Sequence, residues 1–230
     1  MTERWHRWYS CGLCGQEYHG DVLCALTWAC WKTYLNRPEK SRIRRAAHTA
    51  IANGLAETNR HEERLGILEA DLATEIRLGG SELDIVGTKS NIAGCYRDLG
   101  RYADALALRR KVLPDLARLL GNASEVTINA ANSLAVSLSD FGHYNEIKPL
   151  VRKYITISRR SLGEDHIHTL RARAHLADAL MDDHNFQETV AIYEDVCRRS
   201  LRVLGESHPD SRIFLSKLLQ ARAKLAARAT

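Results

Sequence analysis

From about residue 41 onward, apolar residues return at three- and four-residue steps with polar ones between them. That is the spacing of helices with one buried face. The pattern predicts paired helices at 41–57 and 61–78, 84–98 and 102–119, 126–140 and 144–161, and 168–182 and 186–203, then a last helix over 209–227. Linkers within pairs are short (Gly100-Arg101, Gly142-His143, His184-Asn185), so the two helices of a pair must run antiparallel. Gly80, Gly121, Gly163 and Gly205 follow the second helices at spacings of 41, 42 and 42 residues. Each is expected as the left-handed residue that ends a helix. Each also closes an Arg-x-x-Gly phrase, with Arg77, Arg118, Arg160 and Arg202 in the last helical turn. A period this long and regular marks stacked helix pairs rather than one globular core. In the last helix, Pro209 at the first position and Asp210 in the first turn suit a helix start.

The interior of each unit narrows the family. The second repeat reads Ile92-Ala93-x-x-Tyr96 and then Gly100-Arg-Tyr102-x-x-Ala105. Small residues at those two places let helices approach closely, and the tyrosines fill the space around them. Leu134-Ala135-x-x-Leu138 with Tyr144, and Leu176-Ala177-x-x-Leu180 with Phe186, repeat the theme; Ile51-Ala52-x-x-Leu55 with His61 is its weakest copy. This pattern resembles the tetratricopeptide repeat (TPR) rather than HEAT or armadillo units. An ordinary TPR has about 34 residues. Here the extra length extends the second helix, and Leu162-Gly-Glu-Asp-His166 and Leu204-Gly-Glu-Ser-His-Pro209 resemble the kinesin-light-chain type. The resemblance covers residues 41–230 and implies an all-α fold: a right-handed TPR α-solenoid of about four helix pairs with a C-terminal capping helix. Repeats fall at about 41–82, 83–124, 125–166 and 167–208, with the cap at 209–227. No heptad coiled coil of the kind through which kinesin light chains meet a motor is present, and no motor function is inferred.

The resemblance further implies that first helices line a groove for an extended peptide. Candidates there are Asn53, Asn91, Asn129 and Asn132, whose amides can pair with a peptide backbone. Arg97, Arg171 and His175 would engage an acidic residue of the partner. Asn91 and Asn132 adjoin Ile92-Ala93 and Leu134-Ala135, which places them closest to the groove face. Each of these side chains also reads as an ordinary solvated helix residue.

Composition adds little for catalysis. The formal charge of +5 hints at nucleic acid, but the four repeat arginines face helix C-termini, and five cations without an acid lie in 212–230. Nucleic acid is therefore not expected as the partner. The most apolar run, Val22 to Trp31, is about half of the ~20 residues that span a membrane. No secretory pattern begins the chain, so a cytoplasmic location with reduced cysteines is the expectation. No phosphate loop, nucleophile elbow or dinucleotide fingerprint occurs. His208-Pro-Asp210 copies the J-domain tripeptide, but its counterpart His166-Ile-His168 assigns both to the turn between repeats.

The first 40 residues differ from the rest. All four tryptophans (Trp5, Trp8, Trp28, Trp31) and four of six cysteines lie there, and Pro38 marks the junction. Cys11, Cys14, His19 and Cys24 read C-x2-C-x4-H-x4-C, the spacing of a zinc knuckle, with Gly15 able to turn round the metal. Gly12 and Tyr18 stand where a knuckle usually has an aromatic residue and glycine. Cys30 is an alternative ligand if the segment belongs to a larger RING- or MYND-like finger. A metal-free reading competes: a helix over 22–34 buries Trp28 and Trp31 against the first repeat, with the cysteines as small apolar fillers. A redox pair at Cys11 and Cys14 is the third option, although its βαβ setting is absent.

Two functions follow as expectations. One is a non-enzymatic scaffold, monomeric or weakly self-associating, that holds a protein or peptide segment in the TPR groove. The other is an adaptor for nucleic acid or protein in which one zinc ion organises the head for recognition. No membrane partner, and no cofactor other than zinc, is expected.

Overall fold

The computed structural model describes residues 8–11, 13–14 and 16–229; Trp5, Gly12 and Gly15 lie outside them. Among the described residues ten helices follow one another: α1 (Gly20–Tyr34), α2 (Arg42–Glu57), α3 (His61–Arg77), α4 (Glu82–Asp98), α5 (Tyr102–Leu120), α6 (Glu125–Asp140), α7 (Tyr144–Ser161), α8 (Ile167–Asp182), α9 (Phe186–Leu204) and α10 (Pro209–Ala229). The helix pairs stand where the apolar period puts them. Compact packing divides the chain between Leu108 and Arg109, within α5, so α1 belongs with the first two repeats.

The helices start and stop for local reasons. Ser81 caps α4 by accepting from the Asp84 backbone N–H at 3.1 Å, and Asn185 caps α9 through Glu188. Within pairs the turn needs positive φ, and Asn59, Gly100, Gly142 and His184 supply it at φ 56, 74, 68 and 59°. Asparagine tolerates this region better than most side chains, and glycine best. The turns between repeats correct one expectation. Gly79, not Gly80, takes positive φ (66°), while Gly80 packs against the Glu75 backbone. Gly205 has positive φ but ψ of 170°, so it ends α9 by extending the chain rather than by a left-handed helical turn. Arg77, Arg118, Arg160 and Arg202 all sit in last turns, and Arg77, Arg118 and Arg202 each also meet a carboxylate, respectively Glu39, Asp115 and Asp165.

Among the described residues, small apolar clusters hold the first unit. Ala52, Leu65, Leu68, Ile92 and Cys95 join α2, α3 and α4. Cys24 packs with Ile51 and Leu55, and Cys30 with Trp8 and Ala47, so α1 covers α2 through its cysteine face. Trp28 and Trp31 flank these clusters and are only partly buried.

In the second unit Leu170, Ala174, Ala177, Tyr193, Val196, Phe214 and Leu218 form one core from α8, α9 and α10. Ala52, Ala93, Ala135 and Ala177, one per repeat, are all buried, as close helix approach requires. One period further on stands Leu219 of α10, which is 65% exposed.

Candidate binding cleft on the first helices

Three first helices of the second unit line one cleft of about 270 Å³. α6 contributes Asn129, Asn132, Ser133 and Val136; α8 contributes Arg171, Ala174, His175 and Asp178; α10 contributes Asp210, Ile213, Phe214 and Lys217. In each helix these residues stand at i, i+3, i+4 and i+7, a single helical face. The α8 set is the α6 set moved on by one 42-residue period. Ile213 and Lys217 continue two of its rows. Tyr193 of α9 also lines the cleft and is fully buried.

The charges in this cleft are answered within it. Arg171 donates to both oxygens of Asp210, at 3.0 and 2.8 Å, a bidentate geometry that holds the guanidinium flat. Lys217 Nζ lies 3.1 Å from Asp178 Oδ1, and the Tyr193 hydroxyl lies 2.8 Å from the same oxygen. Burial, and then the nearby Asp178 carboxylate, push the Tyr193 phenol above its usual range, so it stays a neutral donor. His175 sits between these pairs. Burial is the main cause that lowers its pKa to about 4; Asp178 pulls the other way, and Arg171 and Lys217 add to the lowering. At neutral pH the imidazole is therefore uncharged and offers one donor and one acceptor.

Of the seven residues expected to line a groove, Asn129, Asn132, Arg171 and His175 meet in this cleft. Asn129 is exposed there. Asn132 is 4% exposed, and its Nδ2 donates to the His168 carbonyl at 3.0 Å, which ties α6 to α8. Asn53 and Asn91 are exposed in the first unit, on the α2 and α4 faces of the same register. The neighbours of Asn91 on that face include Gly87 and Gly94, where an added Cβ would meet open space. Arg97 falls outside the register, in the last turn of α4. Asp178, Tyr193, Ile213, Phe214 and Lys217 escaped the sequence reading. The 42-residue period carried forward from Ser133 and Val136 was the signal for Asp178 and Lys217.

The head arranges its cysteines in two groups. Cys11 and Cys14 lie in a short hairpin closed by Cys11 N–H to Gln16 O and Tyr18 N–H to Tyr9 O, both 2.8 Å, with Ser10 and Glu17 bridged. Hydrogen bonds from the Cys14 and Leu13 backbone, and then from the Cys14 side chain, lower the Cys11 thiol to about 7. Cys24 and Cys30 are instead buried in the α1–α2 contact. His19 stands at the N-cap of α1 with Nδ1 4.0 Å from a Glu57 carboxylate oxygen. Among the described residues no three His, Cys, Asp or Glu side chains form a group that could hold a metal ion. The expected four-ligand set of Cys11, Cys14, His19 and Cys24, or its variant with Cys30, is thus not brought together within the described chain. The reason is the amphipathic α1, which turns its thiols toward Ile51 and Ala47.

Comparison with known proteins places the architecture. Tetratricopeptide-repeat family models match residues 84–160 and 169–210. No curated protein matches the chain. Among solved structures, a kinesin-light-chain protein of Podosopora anserina with nearly identical TPR-like repeats is similar at TM-score 0.66, with 18% identity over 79% of this chain and 87% of that one. BtubC (BKLC) from P. vanneervenii is similar at TM-score 0.73, with 13% identity over 88% and 83% of the two chains. YrrB, described as a TPR protein with an unusual peptide-binding site, is similar at TM-score 0.54, with 14% identity over 89% and 100%. At these identities the likeness concerns the fold. Residues 84–160 and 169–210 are tetratricopeptide repeats, and the chain has the all-α fold of TPR solenoids.

Proposed function

We propose that the protein is a non-enzymatic scaffold that binds a segment of another protein across the α6–α8–α10 face. The observation that carries this is the cleft itself. Three successive first helices offer equivalent faces to one open space, with Asn129 exposed and His175 neutral beside it. TPR folds are typical of protein-interaction scaffolds, and YrrB, similar in fold, is described as having a peptide-binding site.

The chemistry of the lining favours an uncharged segment over an acidic one. Arg171 is held by Asp210 and Lys217 by Asp178, so neither cation is available without breaking a pair. Ile213 is 55% exposed, and the half-buried Val136 adds apolar surface. An apolar side chain would seat against these, while Asn129 and His175 pair with the flanking peptide groups.

Panning a random-peptide phage library against the full chain tests the reading. Selected peptides should lose about tenfold in affinity, ~1.4 kcal/mol, on Asn129→Ala or His175→Ala, and nothing on Arg97→Ala. No enrichment, or equal binding by all three variants, overturns it.

A further inference from the structure

In the second unit Leu170, Ala174 and Ala177 of α8 pack with Tyr193 and Val196 of α9, the second helix of the same repeat. One period further on, the same face of α10 reads Arg212, Ser216 and Leu219, and no second helix covers it among the described residues. Arg212 stands where Val86, Ile128 and Leu170 are buried in the preceding first helices, and Arg222 where Leu138 and Leu180 are buried. Between them Leu219, 65% exposed, stands where Ala93, Ala135 and Ala177 are buried. The half-buried Leu215 and Leu219 line a surface groove with Arg212, Ser216, Glu206 and Ser207. On its α9 side Leu215 lines a second groove, with Leu201, Arg198 and Arg222. The face is therefore apolar at its centre and cationic at both ends. A solvated cap has a polar outer face throughout, whereas here the central residue is leucine. A repeat helix of the usual kind needs a small residue at the centre and apolar ones at the ends, and this face offers the reverse.

We propose that the α10 face docks an amphipathic helix of a partner protein, with the apolar stripe of that helix on Leu215 and Leu219 and its acidic residues opposite Arg212 and Arg222. Charge complementarity selects this occupant. From Arg212 onward α10 carries Arg212, Lys217, Arg222, Lys224 and Arg228 and no acid. A second copy of α10 laid on this face, in either direction, would set arginine against arginine. Residues 1–7 bring Arg4 and Arg7 against Glu3, and match it no better. Arg212 is exposed and in no ion pair among the described residues. Arg222 pairs with Glu194 of α9, but both side chains are about half exposed, and such a pair changes partners at little cost. Arg198, on the α9 side, is 76% exposed and adds a third cation.

Two synthetic peptides of about five helical turns test the proposal. Both carry leucine at the same helical spacing; one has glutamate and the other lysine at the remaining positions. Titrated into the full chain and followed by fluorescence polarisation, the glutamate peptide should bind and the lysine peptide should not. Leu219→Ser should weaken the glutamate peptide by at least about tenfold, and Arg212→Glu by roughly fivefold. Ile76→Ser, at a similarly exposed apolar residue of the first unit, should change nothing. All three side chains are exposed, so helix content and thermal midpoint should stay those of the parent chain. Equal binding of the two peptides would mean that charge does not choose the occupant, and overturns the proposal. So does failure of the glutamate peptide to bind, or binding that ignores Leu219→Ser. Sedimentation of the chain alone should show a monomer; a dimer dissolved by Leu219→Ser would make a second copy the occupant, and overturns it as well.

Discussion

Gly54 shows at residue scale how little room the α1–α2 contact leaves. A Cβ there would lie 2.4 Å from Thr27 Oγ1 and 3.0 Å from the Cys24 backbone. Thr27 is fully buried and donates to the Cys24 carbonyl at 2.8 Å, so its hydroxyl has nowhere to turn. Gly54→Ala should destabilise the protein by roughly 1–3 kcal/mol in urea unfolding, although alanine is the better helix former. The sequence hid this, since a mid-helix glycine reads only as a propensity cost until its neighbour is known. His175 carries a pH prediction. Its folded pKa of about 4 lies below the ordinary 6.5, so the unfolded chain binds the proton more readily between those values. Stability should therefore fall as pH drops from about 6.5 to about 4 and lose nothing further from this group below that. The total loss across that window, on the order of 2 kcal/mol after discounting for partial exposure, should disappear in His175→Gln.

At the scale of elements, ion pairs link the turn between α7 and α8 to α9 unequally. Arg199 bonds Asp195 and Asp165, each at 2.8 Å, and pairs with Glu164 at 2.9 Å, while only a quarter of its side chain is exposed. Arg198 also meets Asp195 but is 76% exposed. Arg199→Ala should cost on the order of 1 kcal/mol, because Asp195, Asp165 and Glu164 lose one shared partner but keep Arg173, Arg202 and Arg159, and Arg198→Ala less than about 0.5 kcal/mol. Parallel denaturant titrations of the two variants measure the difference. Helix existence was legible because the 3.6-residue period is strong in every repeat, and it prevailed even where Pro114 and Pro149 interrupt α5 and α7. Both prolines are exposed, so the carbonyls that lose an N–H partner can turn to water. The partners of Arg199 were not legible, because they depend on how second helices and turns one repeat apart meet in space.

Across the whole molecule the charge is uneven. Residues 1–108 carry 14 Lys and Arg against 14 Asp and Glu, so the net +5 falls entirely on 109–230. Within that half the cleft is nonetheless neutral, since its two cations are paired. Binding of a selected uncharged peptide should therefore change less than about twofold between 50 and 300 mM salt, as read by fluorescence polarisation. A steep loss would instead mark the exposed basic surface as the contact.

The 42-residue period, the helix pairs and the all-α TPR fold were determined by the sequence alone, because they rest on local spacing: apolar residues every three or four positions, small residues at close approaches, turn residues at fixed offsets. The same period placed Asn53, Asn91, Asn129, Asn132, Arg171 and His175 on one repeating helical face. Which of these side chains remain free was decided by tertiary structure. Asn132 and Arg171 became bonded to residues 36 and 39 positions away, and Cys24 and Cys30 were drawn into an apolar contact. A side chain's availability depends on the partners that folding brings within hydrogen-bond or van der Waals reach, and those lie beyond the range of any local pattern.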